Sequence, residues 1–499
     1  MSEVTRDEVA RGAGLAGLAR AGALIEAIAQ PLYVWLFGLA AYGIYVVLWG
    51  AVNLTANLID LSMTSALQRI VPAEDSAERV HGAVKFALLV SVIPATIVAA
   101  IVAINAEAVA GLFSAASEDA ARLPQSIALF VWALPLWTFI EVATSAARAR
   151  RAFGPEIRLR IFWEQVARIL FALGFFLVGA GGTGLMAAHL CSLALTALLC
   201  LRLLGRYYDL RLLVRARIGG RLSGLVLVSG FALLPSNLSR RLLIDAPPVA
   251  LNLMLPGAAG ASAAGLFEIA RKISTIPHIV RQAFQYVLGP LSAAQASVDR
   301  AAIGPLYHFA SRVSTALVVP LGGLLIFAGA DILSIYRPEV KAALPLLWVL
   351  VAARVVEAIV GPAATIVEMT GHRLLPLLNS LGGVALWAGL AWWLTPLWGA
   401  FGMAAAVAAG TLVSSYAATL ELKIADGLSP FDRKLFQGLA IALVGFAAMA
   451  LADWAVLGPL GFALLVIIWA ATSWLALRYG LTRDDRIALG GLSRKLRLV

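Results

Sequence analysis

Glu268, Arg271, Thr275, His278, Gln282 and Gln285 follow one another at spacings of three, four, three, four and three. On an α-helix that rhythm draws a single stripe roughly 100° wide. The residues between them are mostly Ile, Phe, Val, Leu and Ala, suited to lipid or to neighbouring helices. The stretch from Gly260 to Gln295 therefore reads as a membrane helix with one wet side. Lys272 and Arg281 make that side net cationic. Cations at membrane depth suit something anionic that binds there or passes.

A second stripe lies earlier in the chain. Tyr42, Tyr45, Trp49, Asn53, Asn57, Asp60 and Thr64 fall at helical spacing on one face of another apolar run. Two such faces meeting would line a water-filled cavity. Asn53, Asn57 and Asp60 are its expected lining, and Glu26 and Glu141 are further acids able to neutralise it as a charged ligand leaves.

Eight cations fall inside apolar runs: Arg20, Arg168, Arg240, Arg241, Arg271, Lys272, Arg281 and Arg354. Each costs roughly 2.5–3.5 kcal/mol at a lipid-exposed helix centre, so each needs a partner, an interface or water. Arg160, Glu164 and Arg168 step by four and can pair among themselves, as can Glu268 with Lys272. Arg354 and Glu357 stand three apart. Arg240 and Arg241 are placed to snorkel outward. Arg20, Arg271 and Arg281 have two readings, a bound substrate or a partner on another helix. His278 is either a satisfied core residue or a proton relay. No metal constellation, nucleotide loop or catalytic triad is visible, so no cofactor is expected.

The elements that position these groups are membrane spans. The chain has 499 residues, 61% hydrophobic and only 13% charged, with mean hydropathy +0.88. An ordinary soluble domain carries about a quarter charged residues, which excludes that class. A span needs about 20 apolar residues. On that ruler about fourteen spans lie near 12–37, 41–66, 83–105, 124–146, 160–180, 183–204, 222–245, 262–292, 303–329, 342–366, 373–396, 398–421, 434–453 and 457–478, with room for a re-entrant piece in 245–262. The fold class is an all-α polytopic membrane protein.

The net charge of +11 does not point to nucleic acid, because the cations gather in short loops. With the N-terminus cytoplasmic, about 28 of the 39 basic residues fall on inside loops and the tail. Both termini are thus expected in the cytoplasm, and the polar start MSEVTRDEV is not expected to be a cleavable signal. The longest basic loop divides the chain. Residues 1–204 form an N-lobe, 205–221 the cytoplasmic link, 222–423 a C-lobe, 424–480 two further helices, and 481–499 a basic cytoplasmic tail. Gly43 with Tyr45 and Gly265 with Phe267 hint at a repeat between the lobes. Cys191 and Cys200 read as packed thiols.

Three stretches carry a resemblance. Residues 32–72, LYVWLFGLAAYGIYVVLWGAVNLTANLIDLSMTSALQRIVP, lead from a helix end through Tyr42-Gly43-x-Tyr45 into a polar second helix. Residues 264–293, AGLFEIARKISTIPHIVRQAFQYVLGPLSA, form an aromatic-marked helix ending in Pro290 and Ser292. Residues 367–415 hold Gly371 with Asn379 and the run Pro396-x-x-Gly399-x-x-Gly402-x-Ala404. Together the chain resembles a polysaccharide flippase of the O-antigen type, in the multidrug/oligosaccharidyl-lipid/polysaccharide (MOP) exporter superfamily. Trp35 stands where members often have Arg.

The resemblance implies two six-helix lobes around a central cavity, MATE-like, plus two C-terminal helices. It implies a non-enzymatic transporter in the bacterial cytoplasmic membrane. The substrate would be a lipid-linked oligosaccharide of the undecaprenyl diphosphate type, moved from the inner to the outer leaflet for lipopolysaccharide O-antigen, capsule or exopolysaccharide. A polymerase or ligase of the same pathway would be a partner. Arg20, Arg271, Arg281, His278, Gln282 and Gln285 would form the cationic binding face. A cation antiporter of the same superfamily is the nearest alternative, and the cationic stripe argues against it. A membrane-embedded ligase or glycosyltransferase is a third, disfavoured by short outside loops.

Overall fold

The computed structural model describes residues 23–150, 157–218, 220–296, 300, 303–370, 374–456 and 458–498, and every regular element among them is helical. The main helices are α1 (Ala23–Phe37), α2 (Leu39–Ile59), α3 (Met63–Ile70), α4 (Ala77–Ile104), α5 (Leu123–Phe130), α6 (Ala133–Ala149), α7 (Glu164–Leu177), α8 (Thr183–Tyr207) and α9 (Arg221–Met254). They continue with α10 (Gly257–Ala296), α11 (Ile303–Phe327), α12 (Leu344–Ile359), α13 (Leu375–Trp398), α14 (Ala400–Ala425), α15 (Arg433–Ala455), α16 (Pro459–Gly480) and α17 (Arg483–Ala488).

Among the described residues, 11 helices are long and apolar enough to cross a membrane. The other three expected spans coincide with α1, with α7 and the π-helical stretch Ile157–Trp163 before it, and with α10. Ile93, Ile97 and Ile101 of α4 are each at least half exposed and four apart, as a lipid-facing stripe requires. No re-entrant piece interrupts 245–262. Instead α9 runs on through Pro235, Pro247 and Pro248 to Met254, and Leu255 and Pro256 link it to α10.

The contacts group into two compact units, Ile25–Glu268 and a second that includes Ile269–Val499. The break falls within α10, whereas charge places the lobe boundary at 205–221. The physical reason is close packing of α9 along α2, α3 and α4. A Cβ on Gly50 would lie 2.8 Å from the Asp245 carbonyl oxygen, and one on Gly230 would lie 2.5 Å from that of Leu61. Small residues let these backbones touch.

In the second unit α11 is the hub of packing. Leu306, Phe309, Ala310, Val313 and Ala316 meet Ala476, Leu477, Leu481, Ala488 and Leu498 in one buried cluster. Arg312 of α11 completes this junction. Its guanidinium donates to Asp432 at 2.5 and 3.2 Å and to Asp485 at 2.5 Å. Asp432 caps α15, and Asp485 closes a capping box with Thr482 at the start of α17. The expected basic tail is thus, over residues 483–495, a pair of short helices folded back onto α16, where Trp474 donates to the Leu496 carbonyl at 2.8 Å.

Candidate functional site

In the unit Ile25–Glu268, α2 ends at Asp60, and Leu61 and Ser62 follow with φ of 49° and 58°. Two successive non-glycine residues in the left-handed region store strain of about 1–3 kcal/mol each. The bend breaks α2 from α3 and turns Asp60, Ser62 and Thr64 toward a cavity of about 330 Å³. Asn57, Trp137, Thr138, Glu141, Asn237, Arg240 and Arg241 complete most of its wall.

The wall is a connected polar surface. Asp60 accepts from the Thr64 hydroxyl at 3.0 Å and the Ser91 hydroxyl at 3.1 Å. Asn237 donates to the Ser62 and Ser65 hydroxyls at 3.1 and 3.2 Å, and Arg240 donates to Asn237 Oδ1 at 2.6 Å. Glu141 receives Arg160 at 2.6 Å, and the Arg160 guanidinium lies 4.5 Å above the Trp137 ring. Arg241 stays 41% exposed, with Asp245 at 4.0 Å. Both cavity carboxylates are therefore engaged by donors, while two arginines with exposed side chains also line it. The surface suits an anionic, hydroxyl-rich ligand.

Arg240 and Arg241 were not expected here. Snorkelling accounts for their depth along α9 but not for the face they occupy. The signal available in the sequence was Asn237, three residues before Arg240 on the same helix face. Arg160 has a partner beyond the local pairing expected with Glu164. It lies in the π-helical stretch, whose wider turn displaces residues four apart, and it reaches Glu141 of α6. Glu164 pairs with Arg168 at 2.6 Å.

The stripe of α2 is wet only at its end. Asn57, Asp60 and Thr64 line the cavity, but Asn53 is buried. Tyr42 and Tyr45 are core residues. Tyr45 hydrogen-bonds His189 Nδ1 at 3.0 Å, and Trp49 packs 4.3 Å from the His189 ring.

In the other unit, Arg281 has the cross-helix partner that one sequence reading allowed. Its Nη2 lies 2.7 Å from Glu357 of α12. Arg354 meets the same carboxylate at 2.8 Å, as its spacing implied, and His278 Nδ1 stands 3.8 Å away. Ser415 of α14 donates to it at 2.9 Å. Thr275 gives its hydroxyl to the Lys272 carbonyl, so it adds little to a wet face. Arg271 is half-buried on the same helix. Arg20 lies outside the described residues, as do the side chains of Glu26, Gln282 and Gln285.

No family model matches the chain, and no curated protein matches it in sequence. Solved structures do. The lipid II flippase MurJ, in its inward closed conformation, superposes with a TM-score of 0.73 at 11% identity, covering 93% of this chain and 97% of MurJ. This is the fold of the MOP superfamily. An inward-facing multidrug resistance MATE transporter of that superfamily matches at TM-score 0.61 and 16% identity, over 85% of this chain and 95% of its own. A MOP superfamily transporter from Pyrococcus furiosus, described as having a binding pocket of reverse polarity, matches at 0.61 and 13% identity, over 85% and 96%.

Proposed function

We propose that this MOP-fold protein is a flippase for a polyprenyl-diphosphate-linked oligosaccharide, acting by alternating access of two lobes in the bacterial cytoplasmic membrane. The observation that carries the reading is the extent of the likeness. The lipid II flippase matches 93% of this chain, against 85% for the multidrug transporter. The chemistry of the cavity supports it. Arg240 and Arg241 suit phosphate, while Asn57, Asn237 and the hydroxyls of Ser62 and Ser65 suit sugar. Organic cations would meet lining arginines and carboxylates already engaged by donors. Arg271 and Arg281, with Arg20, are the remaining cations assigned to the lipid diphosphate. The product would feed cell-surface polysaccharide assembly.

The test is flipping of a fluorescent polyprenyl-diphosphate oligosaccharide in proteoliposomes. Wild-type protein should expose it to an impermeant quencher. The Arg240→Gln/Arg241→Gln double variant should flip it at least about tenfold more slowly at equal folded amount, since two charge-assisted contacts are lost. Equal rates, or transport confined to organic cations, would overturn the reading.

A further inference from the structure

The group around Glu357 holds more positive than negative charge. One carboxylate serves two guanidinium groups, Arg281 at 2.7 Å on Oε1 and Arg354 at 2.8 Å on Oε2. Glu357 is 2% exposed and Arg281 8%, so water reaches the excess charge only from the side of Arg354, whose side chain is 21% exposed. A buried charge left over after pairing is costly, because its hydration is lost without a replacement. Arg281 also keeps a donor in hand. Among the described residues, its buried Nε–H has no acceptor. The carboxylate does not take it: Oε1 already accepts from Arg281 Nη2 and Ser415, and Oε2 accepts from Arg354 with His278 beside it.

We propose that this group is an anion-exchange site, at which a diphosphate displaces the Glu357 carboxylate from Arg281 and Arg354. A diphosphate brings at least two negative charges and several acceptor oxygens. That neutralises both guanidinium groups and reaches the Arg281 Nε–H, where a carboxylate brings one charge and two oxygens. Glu357 acts as the resident anion. It holds the two arginines of α10 and α12 between substrates, competes with the ligand and so hastens its release. The identity of the natural ligand as a lipid diphosphate rests on the flippase reading, whereas the affinity for diphosphate rests on this geometry.

The experiment measures inorganic pyrophosphate binding to the purified full chain, by calorimetry and by the shift in unfolding temperature, against sulfate at matched ionic strength. Wild-type protein should bind pyrophosphate and Arg281→Gln should not. Glu357→Gln should bind it on the order of tenfold more tightly, within the usual range of coupling between competing groups. Because that variant leaves two arginines without their carboxylate, its unfolding temperature is also followed with and without pyrophosphate. Recovery of the lost stability by the anion supports exchange. Ser415→Ala, which only loosens the carboxylate, should shift affinity less and in the same direction. A Glu357→Gln protein that neither binds pyrophosphate more tightly nor recovers with it overturns the proposal, as does unchanged binding by Arg281→Gln. A short-chain prenyl diphosphate separates the ligand sources. Competition with pyrophosphate assigns the site to the lipid headgroup, and binding of pyrophosphate alone overturns that assignment while the exchange stands. Exchange without flipping sinks the flippase reading only, and flipping without exchange sinks this one only.

Discussion

Gly43 and Gly265 meet backbone to backbone. A Cβ on Gly43 would lie 3.2 Å from Gly265 N and 1.8 Å from the Ala261 carbonyl oxygen. The two glycines that marked a repeat in the sequence are the contact at which α2 and α10 cross. Gly43→Ala should therefore lower stability by about 1–3 kcal/mol, the cost of overpacking. Gly382→Ala in α13, where an added Cβ meets nothing within 4 Å, should be neutral or slightly stabilising. Thermal unfolding in detergent distinguishes them; equal stability of the two variants would contradict the crossing.

Glu164→Gln should cost more. Arg168 is 3% exposed and its carboxylate partner is 2.6 Å away. Removing one member of a buried pair typically costs about 3–5 kcal/mol, because the other charge remains. Folded yield should fall sharply, while Tyr45→Phe, which removes the hydrogen bond to His189 and a longer one from Arg168 at 3.4 Å, should cost about 1–2 kcal/mol. A Glu164→Gln protein as stable as Tyr45→Phe would refute this ranking.

Acid should loosen the Arg312 junction. Burial pushes the Asp432 carboxyl up, but the Arg312 hydrogen bonds, the helix-start N–H groups and the Arg312 charge outweigh it, so its pKa lies below the ordinary value. A folded pKa below the unfolded one adds stability that is complete above about pH 4 and lost as pH falls through the lower folded value. Asp432→Asn should flatten that acid limb and cost roughly 1.5–3 kcal/mol at pH 7. An unchanged acid limb in the variant would count against the clamp.

The driving force is open to direct test. A lipid diphosphate carries about two negative charges, and at about 2.3 kcal/mol per charge per 100 mV a cell-like potential of about 150 mV supplies roughly 7 kcal/mol. Flipping should respond to a valinomycin-set potential more than to a pH step. Asp60→Asn, which places an amide among the Thr64 and Ser91 hydroxyls, should slow turnover without abolishing binding. Transport that follows the pH step alone would make the cavity acids coupling sites.

What the sequence made legible was local. Apolar runs located the spans, and Arg354 with Glu357 and Glu164 with Arg168 were visible because their partners lie within one helical turn. Arg160 with Glu141, Arg281 with Glu357, and Arg312 with Asp432 and Asp485 were not, since helix packing alone decides which distant acid arrives. Tyr42 and Tyr45 misled for another reason. A tyrosine on a polar stripe can be wet or can bury its ring and satisfy one hydroxyl, and spacing does not separate the two.

The Arg312 junction also sets an order of synthesis. Its two carboxylates lie 120 and 173 residues downstream. At ordinary translation rates of about 5–20 residues per second, α11 waits about 9 to 35 s for its second counter-charge. Until then its docking face holds an arginine without its final partners. A chain that stalls within α15 or α16 cannot close it, because Asp485 comes only with α17.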